Sequence, residues 1–215
     1  MVRQRVRIRF SKSGNLKYIG HKDLLRAFVL LFRRAGIPFA LSGGYHPKIR
    51  MSFPSALALG IEGFDEVLEL ELKEPVDSFV LLADLNRQSI AGLSFLSARV
   101  LDESEQKGKL VSSVFEINIP AQFRLETSNR IADFLSRQSV IVNKSNNKKT
   151  AREVDVRNAV QNIEYQIETG LLRAEIKSCA GPEAGIRELL FVFNLDKEYF
   201  QTIFPKRIRC ILAGE

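Results

Sequence analysis

The stretch VRQRVRIRF, residues 2–10, alternates without a break. Val6, Ile8 and Phe10 share one parity; Arg3, Arg5, Arg7 and Arg9 share the other. A period of two marks a strand buried on one face, because successive side chains point to opposite sides of a sheet. The chain therefore opens on a strand whose apolar side needs a covering layer and whose other side carries four guanidinium groups.

The segments that follow supply the layer. In HKDLLRAFVLLFRRAG, Leu24, Leu25, Ala27, Phe28, Leu31, Phe32 and Ala35 recur at helical spacing. Asp23 falls in the first turn and Arg33 and Arg34 in the last, as the helix dipole favours. Gly36 and Pro38 end the helix. PFALS (38–42) reads as a short strand, then a loop over 43–64 rich in Gly and Pro, then an alternating strand at 66–72. An amphipathic helix at 76–88 and a strand at 93–101 complete the first half. The second half repeats the pattern: strands at 109–119 and 206–212, a helix at 128–138, a hairpin about 145–148 and two strands about Gly170. A last helix has Pro182 at its start. This order predicts an α+β protein of two tandem ferredoxin-like (βαββαβ) units with antiparallel sheets, over residues 1–106 and 107–215. The polar stretch Glu103–Lys109 marks the boundary.

Charge is uneven along the chain. The net charge is +7, but residues 1–50 hold twelve Lys/Arg against one acid, Asp23. A concentrated basic segment is the footprint of a polyanion partner. Cross-strand pairing with Glu69 and Glu71 is expected to neutralise about half of the four arginines. The remainder, with Lys12, Lys17, Lys22 and Arg26, would form a surface for RNA phosphates. The 145–148 hairpin carries Lys144, Lys148, Lys149 and Arg152 and reads either as a basic finger or as a solubilising turn.

SGGYHPKIRMSF, residues 42–53, is the second chemically suggestive segment. Gly43 and Gly44 can expose backbone N–H groups to an anion, and Tyr45, Lys48 and Arg50 flank them. His46 lies in this loop, and His21, the only other histidine, begins the first helix. If the two meet, they are candidates for acid–base catalysis. The sequence shows no Walker loop, nucleophile elbow or H-E-x-x-H. H-x-D at His21 and Asp23 is a weak metal signal, and neither a metal nor a cofactor is expected. Cys179 and Cys210 lack C-x-x-C spacing and are expected to be small buried hydrophobes. No apolar run reaches the ~18 residues of a membrane span. The N-terminus is not expected to be a secretory signal, and a cytoplasmic location is expected.

RVRIRFSKSGNLKYIGHKDLLRAFVLLFRRAGIPFALSGGYHPKIRMSFPSALALGIEG resembles the start of the radical-SAM-linked protein family. That family is an uncharacterised bacterial domain fused to, or encoded beside, radical SAM proteins. The matching residues are Phe10, Lys12, Gly14, His21, Asp23, Leu24, Arg33, Arg34, Ala35, Gly36, Pro38, Ser42, Gly44, Tyr45, Pro47, Phe53, Leu59 and Gly60. REVDVRNAV and GPEAGIRELL resemble its later landmarks. Gly20 stands where Ser is usual, Lys22 where Leu is usual, and Lys48-Ile49 where His-Pro is usual. The lysine weakens a metal or proton-relay role and keeps the charge of an anion site.

The resemblance implies a radical SAM partner. With two cysteines and no C-x-x-x-C-x-x-C set, this chain is not that enzyme. The leading expectation is a non-catalytic RNA-binding accessory that presents a transfer or ribosomal RNA for modification. The alternatives are a metal-independent endoribonuclease or phosphoester hydrolase using His21 and His46, and a module that docks the partner through the apolar residues of 51–61.

Overall fold

The computed structural model describes residues 3–144, 152–178, 184–198 and 202–214. The chain is mixed α+β and divides into two compact units, residues 1–109 and 110–215. Cys179, Pro182, Lys148 and Lys149 lie outside the described residues.

The first unit contains β1 (Gln4–Lys12), α1 (His21–Arg34), β2 (Met51–Ser52), β3 (Glu62–Leu72), α2 (Ser78–Arg87) and β4 (Leu93–Leu101). β1 pairs antiparallel with both β3 and β4, and β2 pairs antiparallel with β3. The spatial order is thus fourth, first, third, second. The even residues of β1 behave as their parity requires: Val6, Ile8 and Phe10 are buried, together with Leu68, Leu70 and Leu72 of β3. Leu24, Phe28, Leu31 and Phe32 of α1 and Leu81 and Leu85 of α2 cover them. The ring of Phe10 meets that of Phe28 edge to face, with centroids 5.1 Å apart. Such pairs add stabilisation beyond area burial. α2 begins where Asp77 accepts hydrogen bonds from the backbone N–H groups of Phe79 and Val80, satisfying two donors that no helical carbonyl can reach.

Two expectations need correction. Residues 38–42 form no continuous strand. Phe39 bridges Leu72 and Leu41 bridges Ile49, while the strand pairing with β3 at this position is the two-residue β2. The arginine side of the sheet is not open either. Residues 102–109 fold back over it: Arg5 Nη1 donates to the Glu105 carbonyl at 2.6 Å, and the Gly108 N–H donates to Glu69 at 2.8 Å. Val67 and Glu69, on the side of β3 expected to face water, are therefore buried.

The second unit contains β5 (Leu110–Asn118), α3 (Arg124–Ser136), β6 (Ile141–Lys144), β7 (Arg152–Asp155), α4 (Val156–Ala159), β8 (Val160–Gln166), β9 (Leu171–Lys177), α5 (Ile186–Val192) and β10 (Lys206–Leu212). Its main sheet runs β10-β5-β9-β8, all antiparallel, and β6 and β7 form a separate hairpin. With that hairpin and α4 set aside, the order is again fourth, first, third, second. Ile117, Leu172, Ala174 and Ile176 are buried with Ile131, Phe134, Leu189, Leu190 and Phe193 from the helices and loops. Cys210 is also buried. Among the described residues, no helix is long and apolar enough to cross a membrane.

Candidate nucleic-acid interface

The β1 arginines lie opposite acids because of register. Arg7 pairs with Glu69 and Arg5 with Glu71 across the β1–β3 ladder. Arg7, which is 5% exposed, donates from Nε (3.1 Å) and Nη2 (2.9 Å) to Glu69 Oε1. Its Nη1 lies 3.3 Å from Glu105. Arg9 pairs with Asp65, and Arg3 lies 3.8 Å from Glu71. Arg5 Nη2 is 4.0 Å from Glu69. Each of the four arginines thus has a carboxylate within 4.0 Å. Asp65 and Glu105 join the two acids foreseen from the sequence, so each β1 arginine has an acid within reach, while Glu71 and Glu105 are shared with Arg50 and Arg99.

Glu105 is the least foreseeable member of this set. Arg99 grips it with two hydrogen bonds, 2.6 and 3.0 Å long. The Arg99 hydrogen bond holds the Glu105 carboxyl below the usual range against a smaller opposing effect of desolvation, and the charges of Arg99 and Arg7 reinforce it.

Lys12 is removed from the surface by parity. It belongs with Val6, Ile8 and Phe10, is 2% exposed, and its Nζ lies 3.4 Å from the Ile19 carbonyl. Lys17 stacks its ammonium over the Tyr18 ring at 5.2 Å. On α1, Arg26 pairs with Asp23 at 3.1 Å, and Arg34 donates to the Gln88 carbonyl. The exposed side chains of Lys22, Arg33 and Lys48 make no ion pair or hydrogen bond among the described residues.

The glycine segment is a protruding hairpin. The Arg50 N–H donates to the Ala40 carbonyl, and the Ser42 N–H donates to the Lys48 carbonyl at 2.7 Å. Ser42 Oγ accepts from the Lys48 N–H at 3.0 Å and closes the base. Gly44 turns the tip at φ +102°, a conformation that a β-carbon strains. Residues 43–48 are all exposed, and Tyr45 is 95% exposed. Its ring meets that of His46 edge on at 5.1 Å. At the foot of the hairpin is a shallow cavity of ≈ 290 Å³ lined in part by Arg5, Arg50, Lys107, Glu69 and Glu71. Its charges are mixed, and Arg50 is 3.3 Å from Glu71.

The histidines are not joined. His21 packs edge to face on Phe53 at 5.3 Å, and no hydrogen bond or ring contact links it to His46. Among the described residues, no three His, Cys, Asp or Glu side chains are grouped to hold a metal. The apolar side chains of 51–61 are largely used internally. Met51 and Phe53 pack on the first unit's core and Ile61 is buried, which leaves Leu59 half exposed.

No curated protein matches the chain in sequence. A solved structure described as "Crystal Structure of an Unknown Protein from Galdieria sulphuraria" is 8% identical, with 99% of each chain covered and a TM-score of 0.30. That likeness is too low to bear on fold or function. A family model spans residues 5–187, which takes in β1, the glycine hairpin, the covering segment 102–109 and most of the second unit. On that match the chain belongs to the bacterial family described as "Uncharacterized protein conserved in bacteria (DUF2344)".

Proposed function

We propose that this protein is a non-catalytic accessory that binds single-stranded RNA through its glycine hairpin and the exposed bases of α1, and presents that RNA to a radical SAM enzyme. One observation carries the reading: Tyr45 stands almost wholly in solvent on a hairpin tip, with Lys48 unpaired at its base. An exposed aromatic ring beside free cations is the arrangement on which nucleobases stack while phosphates are neutralised. The fourth-first-third-second order of both sheets supports two ferredoxin-like units, a scaffold shared with single-stranded RNA modules. The sequence resemblance supports the radical SAM partner. The separation of His21 and His46 into different contacts favours binding over acid–base catalysis.

Fluorescence anisotropy of a labelled single-stranded RNA tests the interface. Tyr45→Ala is expected to weaken binding about 5- to 100-fold, the loss that accompanies removal of one stacking partner. Tyr45→Phe should bind as the native chain does, and Lys48→Glu should weaken binding. Native affinity in Tyr45→Ala and Lys48→Glu together would exclude the hairpin as the interface.

A further inference from the structure

The second unit carries a basic cavity of a different character. It is an open depression of ≈ 630 Å³ where the end of α3 and the short α4 meet β8 and β9. Arg157 and Lys177 line it together with Gln138, Asn158 and Gln161, and no Asp or Glu does. Arg137 also lines it, with its charge matched by Asp133, 2.9 Å away.

The contrast with the first unit is in compensation. There every arginine of β1 faces a carboxylate. Here the side chains of Arg157 and Lys177 have no ion pair or hydrogen bond among the described residues. The Arg157 guanidinium carbon lies 5.6 Å from the centroid of the Phe134 ring, and Phe134 is itself buried. The ring attracts the guanidinium and leaves its charge unneutralised, since an aromatic face attracts a cation without carrying an opposite charge. Arg157 Nε is buried and has no acceptor. Two uncompensated cations, one held by packing, beside three side-chain amides form a receptor for a planar or tetrahedral anion that also carries hydrogen-bonding groups.

We infer that this cavity binds a nucleotide phosphate ester, with the phosphate between Arg157 and Lys177 and the amides of Gln138, Asn158 and Gln161 meeting the sugar or base. The site is separate from the hairpin interface proposed above and does not depend on it. The ester belongs either to a free nucleotide or to an RNA strand, and the two are distinguished by titration.

The test is calorimetric titration of the full chain with adenosine monophosphate and, separately, with hexauridylate. Arg157→Gln and Lys177→Gln are each expected to weaken binding at least tenfold. Arg130→Gln, which does not line the cavity and whose native charge is paired with Glu126, should bind as the native chain does. Binding of the mononucleotide assigns the site to free nucleotides, and binding of the oligomer alone, weakened by Lys177→Gln in a Tyr45→Ala background, assigns it to RNA. Tyr45→Ala should leave mononucleotide binding unchanged, which separates failure here from failure of the hairpin reading. Among the described residues Lys177 has no cation–ring contact, so Lys177→Gln remains informative if Arg157→Gln does not fold. Absence of binding by either ligand, or native affinity in Lys177→Gln with a native melting curve, overturns the assignment.

Discussion

Glu69 shows how one side chain closes the arginine face. It accepts from Arg7 twice and from the Gly108 backbone, and it lies within reach of Arg5. Its removal leaves the buried Arg7 with Glu105 as its remaining described carboxylate. Glu69→Ala is therefore expected to cost about 3 kcal/mol, the lower end for breaking a buried pair, seen as a lower urea midpoint. A midpoint within error of the native value would mean that water compensates Arg7. Parity makes much of this legible in the sequence. The same alternation that sets four arginines on one face of β1 also assigns Lys12 to the other, although its charge alone suggests the surface. Asp65 is harder to foresee, because Gly63 and Phe64 break the alternation and hide the early start of β3.

Among the elements, local chemistry fixes two turns of the second unit. Asp155 caps α4 by accepting from the Arg157 and Asn158 N–H groups, and it also accepts from the Val140 N–H and the Ser139 hydroxyl. Desolvation by burial raises its pKa, but these hydrogen bonds outweigh it and hold the carboxyl below the usual aspartate value. A depressed pKa in the folded state contributes stability above the unfolded pKa, and that contribution is lost as pH falls through the folded value. The stability advantage of the native chain over Asp155→Asn should be constant at neutral pH and shrink below about pH 4. Parallel melts at a series of pH values measure this, and an advantage that grew with acid would contradict the assignment. Gly170 joins β8 to β9 at φ +76°, where an added β-carbon would collide with the Ile119 carbonyl oxygen. Gly170→Ala should lower stability by at least about 1 kcal/mol from backbone strain alone, read from thermal denaturation. Periodicity exposes most strands and helices of this chain. It does not expose the role of 102–109, a polar run without repeat whose place over the sheet depends on a carbonyl, an N–H and one carboxylate meeting partners far away in sequence.

For the whole molecule, net charge is a poor guide to how many phosphates it can neutralise. The chain carries +7, yet the densest basic stretch is internally matched. Among the described residues, Lys22, Arg33 and Lys48 around the hairpin and α1 make no ion pair, nor do Arg157 and Lys177 in the C-terminal cavity. For single-stranded RNA, log K should fall with log salt at a slope between about −2 and −3.5, for three to five phosphates. A slope steeper than about −5 would mean that the β1 arginines leave their carboxylates to bind RNA. The mixed α+β character, the antiparallel pairing and the exposure of the glycine segment could be read from one dimension. The neutralised face and the open C-terminal cavity could not, since both depend on which charges become neighbours only after folding.

The Tyr45 tip contributes little to the folded core, being fixed at its base by the Ser42 and Lys48 bonds. It is therefore a natural handle. A photoactivatable or fluorinated tyrosine analogue installed at position 45 should leave the melting curve unchanged, while recording directly whatever molecule comes to rest against it.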